Sequence, residues 1–358
     1  MTVKKLSATQ FRNLKEVVVE PSAGMNVFYG DNAHGKTNLL EALWLMTGGK
    51  SFRGTKDADL VMFGCDKACV QASFVAQGRE QTARIDIEAR RKATLNGIAQ
   101  PAANRLTGHF CAVIFSPDHL SLIKDGPEGR RRFADAACCQ FRPLYMKVLS
   151  EYTRVLSQRN KLIKGVKSGE QPYDAMLFDV FDEQLAQSGA AVRKYRTAYI
   201  RQLQPSACEI YDQLSKGREA LSVMYEESID PQELFAQLQA TRQTDLKAGF
   251  TTVGPHRDDI PVNIAGTSAR LFGSQGQQRS AVLALKLAEA SLLAKAYEEK
   301  PVILLDDVMS ELDRSRQEYI LNRIDGFQVF ITCCDPSAVS ELADGRVFHV
   351  QNGEIGEA

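Results

Sequence analysis

The sequence lacks an excess of charge, a cysteine-rich metal motif and a long apolar run. Its 44 basic and 44 acidic side chains give a formal net charge of zero, so any surface that binds nucleic acid must be local. The eight cysteines include no Cys-x-x-Cys pair, which argues against a zinc site and favours reduced thiols. No segment reaches the roughly 20 apolar residues that cross a bilayer, and the N-terminus has no apolar signal core. These absences predict a cytoplasmic protein.

Apolar periodicity predicts a mixed α/β fold. With 358 residues and 44% hydrophobic content the chain can bury a large core. The first third predicts a strand at residues 25–29, a helix at 38–47 and alternating strands at 69–75 and 82–88. Asn96 and Gly97 form a strong hairpin signal, so this region predicts an antiparallel sheet.

A long helical region interrupts the mixed strand and helix pattern. Residues 129–216 have helical apolar spacing, interrupted by a polar turn near residues 165–172, which predicts an inserted helical hairpin. Strand and helix patterns resume afterwards. They predict strands at 260–264, 302–305, 329–332 and 346–350 and a helix at 277–296, while a further strand is predicted at 111–115, before the helical region.

Residues 30–37, GDNAHGKT, match the P-loop pattern and lie between a predicted strand and a predicted helix. A glycine-rich loop leaves backbone N–H groups free to surround phosphate oxygens, and the helix dipole favours the same anion. Lys36 would reach the β- and γ-phosphates, and Thr37 would hold Mg²⁺. The predicted nucleotide contacts here are Gly30, Asp31, Asn32, Ala33, His34, Gly35, Lys36, Thr37 and Asn38.

A second acidic motif follows the apolar run at residues 302–305. An acid at the carboxyl end of a buried strand lies where ligands of α/β sheets bind, so Asp306 is predicted to bind Mg²⁺ through water. Asp307 stands where a base would orient the attacking water, and its side chain is shorter than that of Glu, which predicts slow hydrolysis. The alternative is that two acids simply end a strand.

Two further motifs predict contacts across a dimer. Ser274, Gln275, Gly276 and Gln277 precede a long helix and resemble the signature motif of ATP-binding-cassette ATPases, whose serine and glycine meet the γ-phosphate of a partner subunit. Asp313 lies at the position of the D-loop acid. Asp313 could equally be a helix N-cap, and the Ser/Gly/Gln string taken alone is most often one, but its place between the P-loop and the acidic strand end favours the functional interpretation.

The combined motifs resemble the RecF family over essentially the whole chain. The matching strings are FRNL (11–14), GDNAHGKTNLLEAL (30–43), FSPDHLSLIKDGPEGRRRFAD (115–135), GPHRDD (254–259), GSQGQQR (273–279) and ILLDDVMSELD (303–313). Phe52, His119 and the pair Cys333 and Cys334 depart from the family pattern, which leaves the γ-phosphate sensor near Thr332 open. His256 with Asp258 and Asp259 lacks metal-ligand spacing and predicts structural pairing.

This resemblance implies a cassette-type P-loop ATPase head, with an antiparallel β subdomain and an inserted α-helical arm. The implied domains are an N-terminal ATPase part (1–125), the arm (126–245) and a C-terminal ATPase part (246–358). The family's activity implies an ATP-dependent homodimer with ATP and Mg²⁺, weak DNA-stimulated hydrolysis, and binding to single- and double-stranded DNA and their junctions. It further implies action with RecR and RecO in loading RecA on gapped DNA, which supports SOS induction.

The sequence offers one local cue for DNA contact. Residues 126–165 carry nine basic side chains and three acidic ones, which suits sequence-independent phosphate contact. The alternative is a solvated helical face. The candidate DNA contacts are Arg130, Arg131, Arg132, Arg154, Arg159 and Lys161.

Two other functions remain compatible with the motifs. A transporter or regulatory cassette module would use the same ATP site to drive a protein partner, without ATP-dependent DNA binding. A P-loop kinase for a small molecule would use the phosphate loop but has no need for the signature string.

Overall fold

The computed structural model describes residues 1–228, 233–335 and 345–357. The chain divides into two compact units, one formed by Met1–Ser121 with Val282–Ala358 and the other by Leu122–Ala281. The domain boundaries at residues 125 and 245 stay a prediction. Across these described ranges, no helix is both long and apolar enough to cross a membrane.

The first part of the chain forms mainly strands, the middle part mainly helices, and the last part both. The described strands are β1 Thr2–Phe11, β2 Leu14–Val19, β3 Met25–Tyr29, β4 Ala68–Ala76, β5 Arg79–Ile87, β6 Arg91–Leu95, β7 Ile98–Gln100, β8 Ala112–Phe115, β9 Leu221–Val223, β10 Val262–Ile264, β11 Thr267–Ser268, β12 Val302–Asp306, β13 Val329–Cys333, β14 Gly345–Gln351 and β15 Glu354–Glu357. The described helices are α1 Lys36–Leu45, α2 Pro117–Leu120, α3 Pro127–Phe141, α4 Leu144–Ser168, α5 Ala175–Ser215, α6 Leu234–Ala240, α7 Arg242–Ala248, α8 Ala269–Phe272, α9 Gln275–Tyr297 and α10 Arg314–Arg323. Short 3₁₀ helices occur at Asp57–Leu60, Ala103–Leu106 and Met309–Glu311.

The first unit contains an antiparallel sheet in the order β2-β1-β4-β5-β6-β7. Strand β4 alternates buried and half-buried residues along its whole length, as a sheet with one covered face requires. The turn between β6 and β7 places Asn96 at φ 51° and Gly97 at φ 79°, the left-handed pair of a tight hairpin. The predicted antiparallel sheet is therefore confirmed, although β1 and β2 were not predicted.

A second sheet in the same unit has the order β15-β14-β3-β13-β12-β8. All neighbours are parallel except the pair β14 and β15. Strands β8, β12 and β13 are buried at every residue, which explains their unbroken apolar runs. Phe28 stacks with Phe330 at 6.0 Å and with Phe348 at 4.8 Å between ring centroids, which joins three strands. The carboxyl ends of β3, β12 and β13 thus meet at one edge, where ligands of such sheets bind.

The second unit is built around the antiparallel helices α4 and α5. Helix α4 is followed by Gly169, whose φ of 78° suits a left-handed C-cap. Helix α5 begins after Asp174, whose carboxylate accepts hydrogen bonds from the backbone N–H groups of Met176 and Leu177. The predicted helical hairpin is confirmed, with its turn at residues 169–174 instead of 165–172. The interior of this unit holds ion pairs as well as apolar residues: Arg159 contacts Asp182 and Asp245 at 2.7 and 2.6 Å, with all three side chains buried.

Candidate nucleotide-binding site

Residues 30–35 connect β3 to α1 in a conformation that requires glycine at two positions. Gly30 has φ 150° and Gly35 has φ 113°, both in the region that L side chains avoid. A Cβ added to Gly30 would lie 2.2 Å from the carbonyl oxygen of Val350, and one added to Gly35 would lie 2.8 Å from Asn13 Oδ1. The loop is therefore fixed both by backbone preference and by close neighbours.

Lys36 begins α1 and turns its side chain back into the loop. Its Nζ donates hydrogen bonds to the carbonyl oxygens of Gly30 at 2.6 Å and Asp31 at 2.9 Å, and lies 3.8 Å from Cys334 Sγ. Cys334 Sγ in turn lies 3.2 Å from Asn32 Oδ1. A buried ammonium at the centre of the loop supplies the positive charge that a phosphate group needs.

The predicted Mg²⁺ residues lie in contact with one another. Thr37 Oγ1 and Thr332 Oγ1 each donate a hydrogen bond of 2.8 Å to Asp306 Oδ1. Burial raises the pKa of the Asp306 carboxyl, while the two threonine hydroxyls act in the opposite direction. Thr332 thus orients the acid at the end of β12.

Asp307 follows at a strained position and lines the same cavity as Lys36. Its φ is 52°, a left-handed conformation that Asp tolerates better than most residues. The backbone N–H of Asp307 donates to Thr332 Oγ1 at 3.0 Å, and Ser310 Oγ donates to the carbonyl oxygen of Asp307 at 2.8 Å. These bonds fix the backbone of Asp307, which is one of the residues that line the cavity.

The cavity above the loop has a volume of about 860 Å³, which is within the range of small-molecule sites. Besides the P-loop residues and Asp307, its lining includes Arg12, Asn13, Arg53, Met62, Phe63 and Cys65. Arg12 is held by the buried Glu41 at 2.9 Å and by Thr55 Oγ1 at 2.7 Å. Arg53 donates to Asn38 Oδ1 at 3.0 Å. None of these lining residues outside the motifs was predicted.

The turn between β14 and β15 supports the P-loop from one side. The backbone N–H of Asn352 donates to His34 Nδ1 at 3.0 Å, and that of Gly353 donates to the carbonyl oxygen of His34 at 2.9 Å. Asn13 Nδ2 donates to the carbonyl oxygen of Ala33 at 3.1 Å, and Asn13 Oδ1 accepts from Asn38 Nδ2 at 2.7 Å. His34 and Asn38, both predicted as nucleotide contacts, therefore also hold the loop in shape.

The signature-like residues form a capping box at the start of α9. The backbone N–H of Gln277 donates to Ser274 Oγ at 3.3 Å, and Gln277 Oε1 accepts from the backbone N–H of Ser274 at 2.7 Å. Ser274 and Gln275 are exposed at this helix N-terminus. The N-cap alternative is thus realised, and Gly276 with its neighbours still presents a helix end suited to an anion.

Asp313 is likewise the N-cap of a helix. Its carboxylate accepts a hydrogen bond from the backbone N–H of Arg316 at 3.1 Å and pairs with the Arg316 guanidinium. The carboxylate is half exposed. Its predicted role across a dimer interface stays a prediction.

The structure divides the candidate DNA contacts into buried, half-buried and exposed side chains. Arg130 is buried and pairs with Asp259 at 2.8 Å, and Arg159 is fully buried, so neither guanidinium can reach a phosphate and these two predictions are wrong. Arg131 is half-buried and donates to the carbonyl oxygen of Asp258 at 2.7 Å. The exposed members are Arg132, Arg154 and Lys161.

Comparison with known proteins decides the family. A model of the RecF/RecN/SMC N-terminal domain matches residues 2–355. The "DNA replication and repair protein RecF" of Agathobacter rectalis is 39% identical, with 99% of both chains covered, and that of Listeria innocua is 36% identical with the same coverage. The chain belongs to the RecF family. A solved structure described as the "recombination mediator protein RecF-ATP in RecFOR pathway" superposes with a TM-score of 0.91 at 36% identity, over 100% of this chain and 97% of that one.

RecF membership confirms the resemblance and the cassette-type head. An SMC head structure aligns with a TM-score of 0.57 at 18% identity and shares the fold alone. Within the RecF pattern, the structure gives Thr332 a role in holding Asp306 and places the departing residue Cys334 beside Lys36. Arg12 and Asn13 were not predicted as residues of the site. They belong to the FRNL string, which is the sequence pattern that could have pointed to them.

Proposed function

We propose that this chain is an ATP-dependent DNA-binding protein of recombinational repair, in which two copies hold ATP between them. The observation that carries the proposal is the 2.8 Å contact between Thr37 Oγ1 and Asp306 Oδ1, 269 residues apart in the sequence. A P-loop pattern that occurred by chance would not be expected to contact an acidic residue at the end of a distant strand. Nucleotide hydrolysis, by contrast, needs the phosphate-binding loop and the acidic residue side by side.

The residues at this edge of the sheet fit a magnesium-bound nucleoside triphosphate. Thr37 would offer Mg²⁺ a hydroxyl oxygen and Asp306 would hold it through water, which suits the preference of this ion for hard oxygen ligands. When bound, Mg²⁺ neutralises charge on the β- and γ-phosphates. The backbone N–H groups of the loop and Lys36 would bind the phosphates, and the cavity beside Arg12 and Arg53 would receive the nucleoside.

Hydrolysis in this proposal depends on Asp307 and on a second copy. Asp307 would orient the attacking water, and its short side chain and fixed backbone favour slow turnover stimulated weakly by DNA. The helix end at Ser274, Gln275, Gly276 and Gln277 of one copy would contact the γ-phosphate held by the other. Asp313 would cross the same interface.

The relatives support the biological part of the proposal. One solved relative is described as a recombination mediator in the RecFOR pathway, and the curated relatives are DNA replication and repair proteins. For this chain we propose binding to duplex and single-stranded DNA and to their junctions, with RecR and RecO as partners and loading of RecA on gaps as the outcome. ATP binding would drive dimerisation and DNA binding, and hydrolysis would reverse both.

The test compares wild type with Lys36→Met by sedimentation, with and without ATP and DNA. We expect wild type to dimerise and gain DNA affinity only with ATP. Lys36→Met should bind ATP roughly 10- to 100-fold more weakly, since it lacks a charged hydrogen-bond donor. It should therefore neither dimerise nor gain DNA affinity when ATP is added. The matched control is Lys50→Met, an exposed lysine outside the loop, which should match wild type. Normal behaviour of Lys36→Met would overturn the mechanism.

A further inference from the structure

An exposed phenylalanine stands at the rim of the nucleotide cavity. Phe63 is fully exposed and lines the cavity together with Lys36 and Thr37. It lies in a tight turn in which the backbone N–H of Cys65 donates to the carbonyl oxygen of Met62 at 3.0 Å and Gly64 takes φ 83°. This geometry is that of a type II turn with its glycine at the third position. Phe63 is therefore held at the apex and directed away from the chain.

The turn that carries Phe63 is attached firmly to the sheet. The backbone N–H of Arg12 donates to the carbonyl oxygen of Leu60 at 2.8 Å, and that of Met62 donates to the carbonyl oxygen of Gln10 at 2.8 Å. Both bonds lead to the end of β1, which also carries Arg12 into the cavity. The position of Phe63 relative to the site is thus set by backbone hydrogen bonds.

A second pair of exposed apolar side chains precedes the signature-like motif. Leu271 and Phe272, in α8, are 72% and 74% exposed. The backbone N–H of Gly273 donates to the carbonyl oxygen of Ala269 at 3.1 Å, and Gln278 Nε2 donates to the same oxygen at 2.8 Å. Because a Cβ on Gly273 would lie 2.5 Å from that oxygen, the corner between α8 and α9 closes only around glycine. Leu271 and Phe272 are therefore fixed with respect to Ser274.

The proposed ATP sandwich brings these two features together. In the proposed dimer, Ser274 of one copy contacts the γ-phosphate in the cavity of the other copy. Phe272 of the first copy must then lie near that γ-phosphate, since two residues span at most about 7 Å. The rim that Phe63 occupies belongs to the same cavity. Single exposed apolar residues are ordinary, but in the proposed dimer Phe63 and Phe272 would belong to the two copies that enclose one nucleotide, where contact between them would remove both from water.

We infer that Leu271 and Phe272 of a second copy pack against Phe63 and close the nucleotide cavity. The inference rests on the proposed function and names the contact that completes its dimer. Burial of these side chains would occur only when the second copy is seated, and it would exclude water from the phosphates, which strengthens the charge interactions there.

A charge-swap experiment tests the contact. We expect Phe63→Lys alone and Phe272→Glu alone to weaken ATP-dependent dimerisation, each by roughly tenfold or more, because a charge replaces an apolar partner. Both changes in one chain place Lys opposite Glu in both symmetric sites and should restore most of the dimer. The measurement is sedimentation with ATP at fixed salt. Ile98→Lys and Met176→Glu, two exposed apolar residues elsewhere, serve as matched controls and should match wild type.

The outcomes separate this inference from the function on which it rests. A wild type that stays monomeric with ATP would overturn both. A wild type that dimerises while Phe63→Lys and Phe272→Glu behave like their controls would overturn the inference alone. Loss of dimer in both single variants without recovery in the combined variant would also overturn it, because the two side chains would then not face one another. Thermal melting of each variant verifies that the monomer is folded.

Discussion

His256 shows how the surroundings of one side chain set its protonation. Its Nε2 lies 3.0 Å from the carbonyl oxygen of Thr251, so Nε2 carries the proton and donates. Nδ1 then accepts from Tyr152 Oη at 2.6 Å. Burial lowers the pKa of His256 to about 4. Asp258 accepts from Arg193 at 2.8 Å and Asp259 from Arg130, which confirms the predicted structural pairing of this segment.

The protein should therefore lose stability in mild acid through His256. An unfolded histidine gains a proton below about pH 6.5, whereas the folded one resists until about pH 4. Stability then falls as the pH drops between these values, by about 2 kcal/mol from this group at pH 5. In urea unfolding at pH 7 and pH 5, His256→Gln should show a correspondingly smaller loss than wild type. The exposed His109→Gln should keep the wild-type loss; equal losses in all three proteins would contradict the assignment.

The element that ends the second sheet has an unexpected role in the site. The turn between β14 and β15 holds His34 through the backbone of Asn352 and Gly353. It also approaches the β1–β2 connection so closely that a Cβ on Gly353 would lie 2.1 Å from the carbonyl oxygen of Asn13. The P-loop conformation thus depends on a hairpin more than 300 residues away.

Gly353→Ala should disturb this support. The added methyl group meets backbone, and the φ of 79° disfavours any L side chain, so we expect a loss of about 1 to 3 kcal/mol in stability and weaker ATP binding. Gly356→Ala, in the adjoining strand, is the matched control because its Cβ would meet nothing within 4 Å. Calorimetric ATP titration and thermal melting measure both effects. Identical behaviour of the two variants would show that the turn does not hold the loop.

Elements with a regular apolar pattern could be predicted from the sequence, and irregular ones could not. Strand β3 was predicted with its observed bounds because it is a short, largely apolar run with a buried centre. Strand β4 was predicted within one residue at each end because buried and half-buried residues alternate along it. Strand β1 was missed because a register shift between Val3 and Lys5 breaks its alternation. The role of Arg12 was missed for another reason: the FRNL string marks the residue, but its direction into the site depends on tertiary contacts with Glu41 and Thr55.

At the scale of the whole molecule, counting charges overstated the DNA-contact surface. Two of the nine basic side chains counted in residues 126–165 are buried in ion pairs: Arg130 pairs with Asp259 and Arg159 with Asp182. A count along the sequence cannot distinguish such buried guanidinium groups from exposed ones. The basic side chains that remain available among the candidates lie on α3 and α4.

Replacing Arg132, Arg154 and Lys161 together by alanine should weaken DNA binding uniformly across sequences. Neutralised phosphates release counterions, so the slope of log K against log salt should become shallower by up to about 0.9 for each duplex phosphate that the variant no longer neutralises. Lys92→Ala is a control, since Lys92 is exposed on β6 and pairs with Glu88 as Arg154 pairs with Glu151. Fluorescence anisotropy with ATP at several salt concentrations gives the slope. An unchanged slope would show that Arg132, Arg154 and Lys161 do not contact DNA phosphates.

The position of β3 in its sheet constrains the order in which the protein acquires structure during synthesis. Asn26 Nδ2 donates to the carbonyl oxygen of Val329, 303 residues later, and β3 pairs on both sides with β13 and β14. The unit at Leu122–Ala281 is continuous in sequence, so all of its residues are synthesised before β12, β13 and β14. We therefore expect the second unit to be complete on the ribosome before β13 and β14 are available to pair with β3. The unpaired apolar edge of β3 then needs protection from aggregation until these strands have been synthesised.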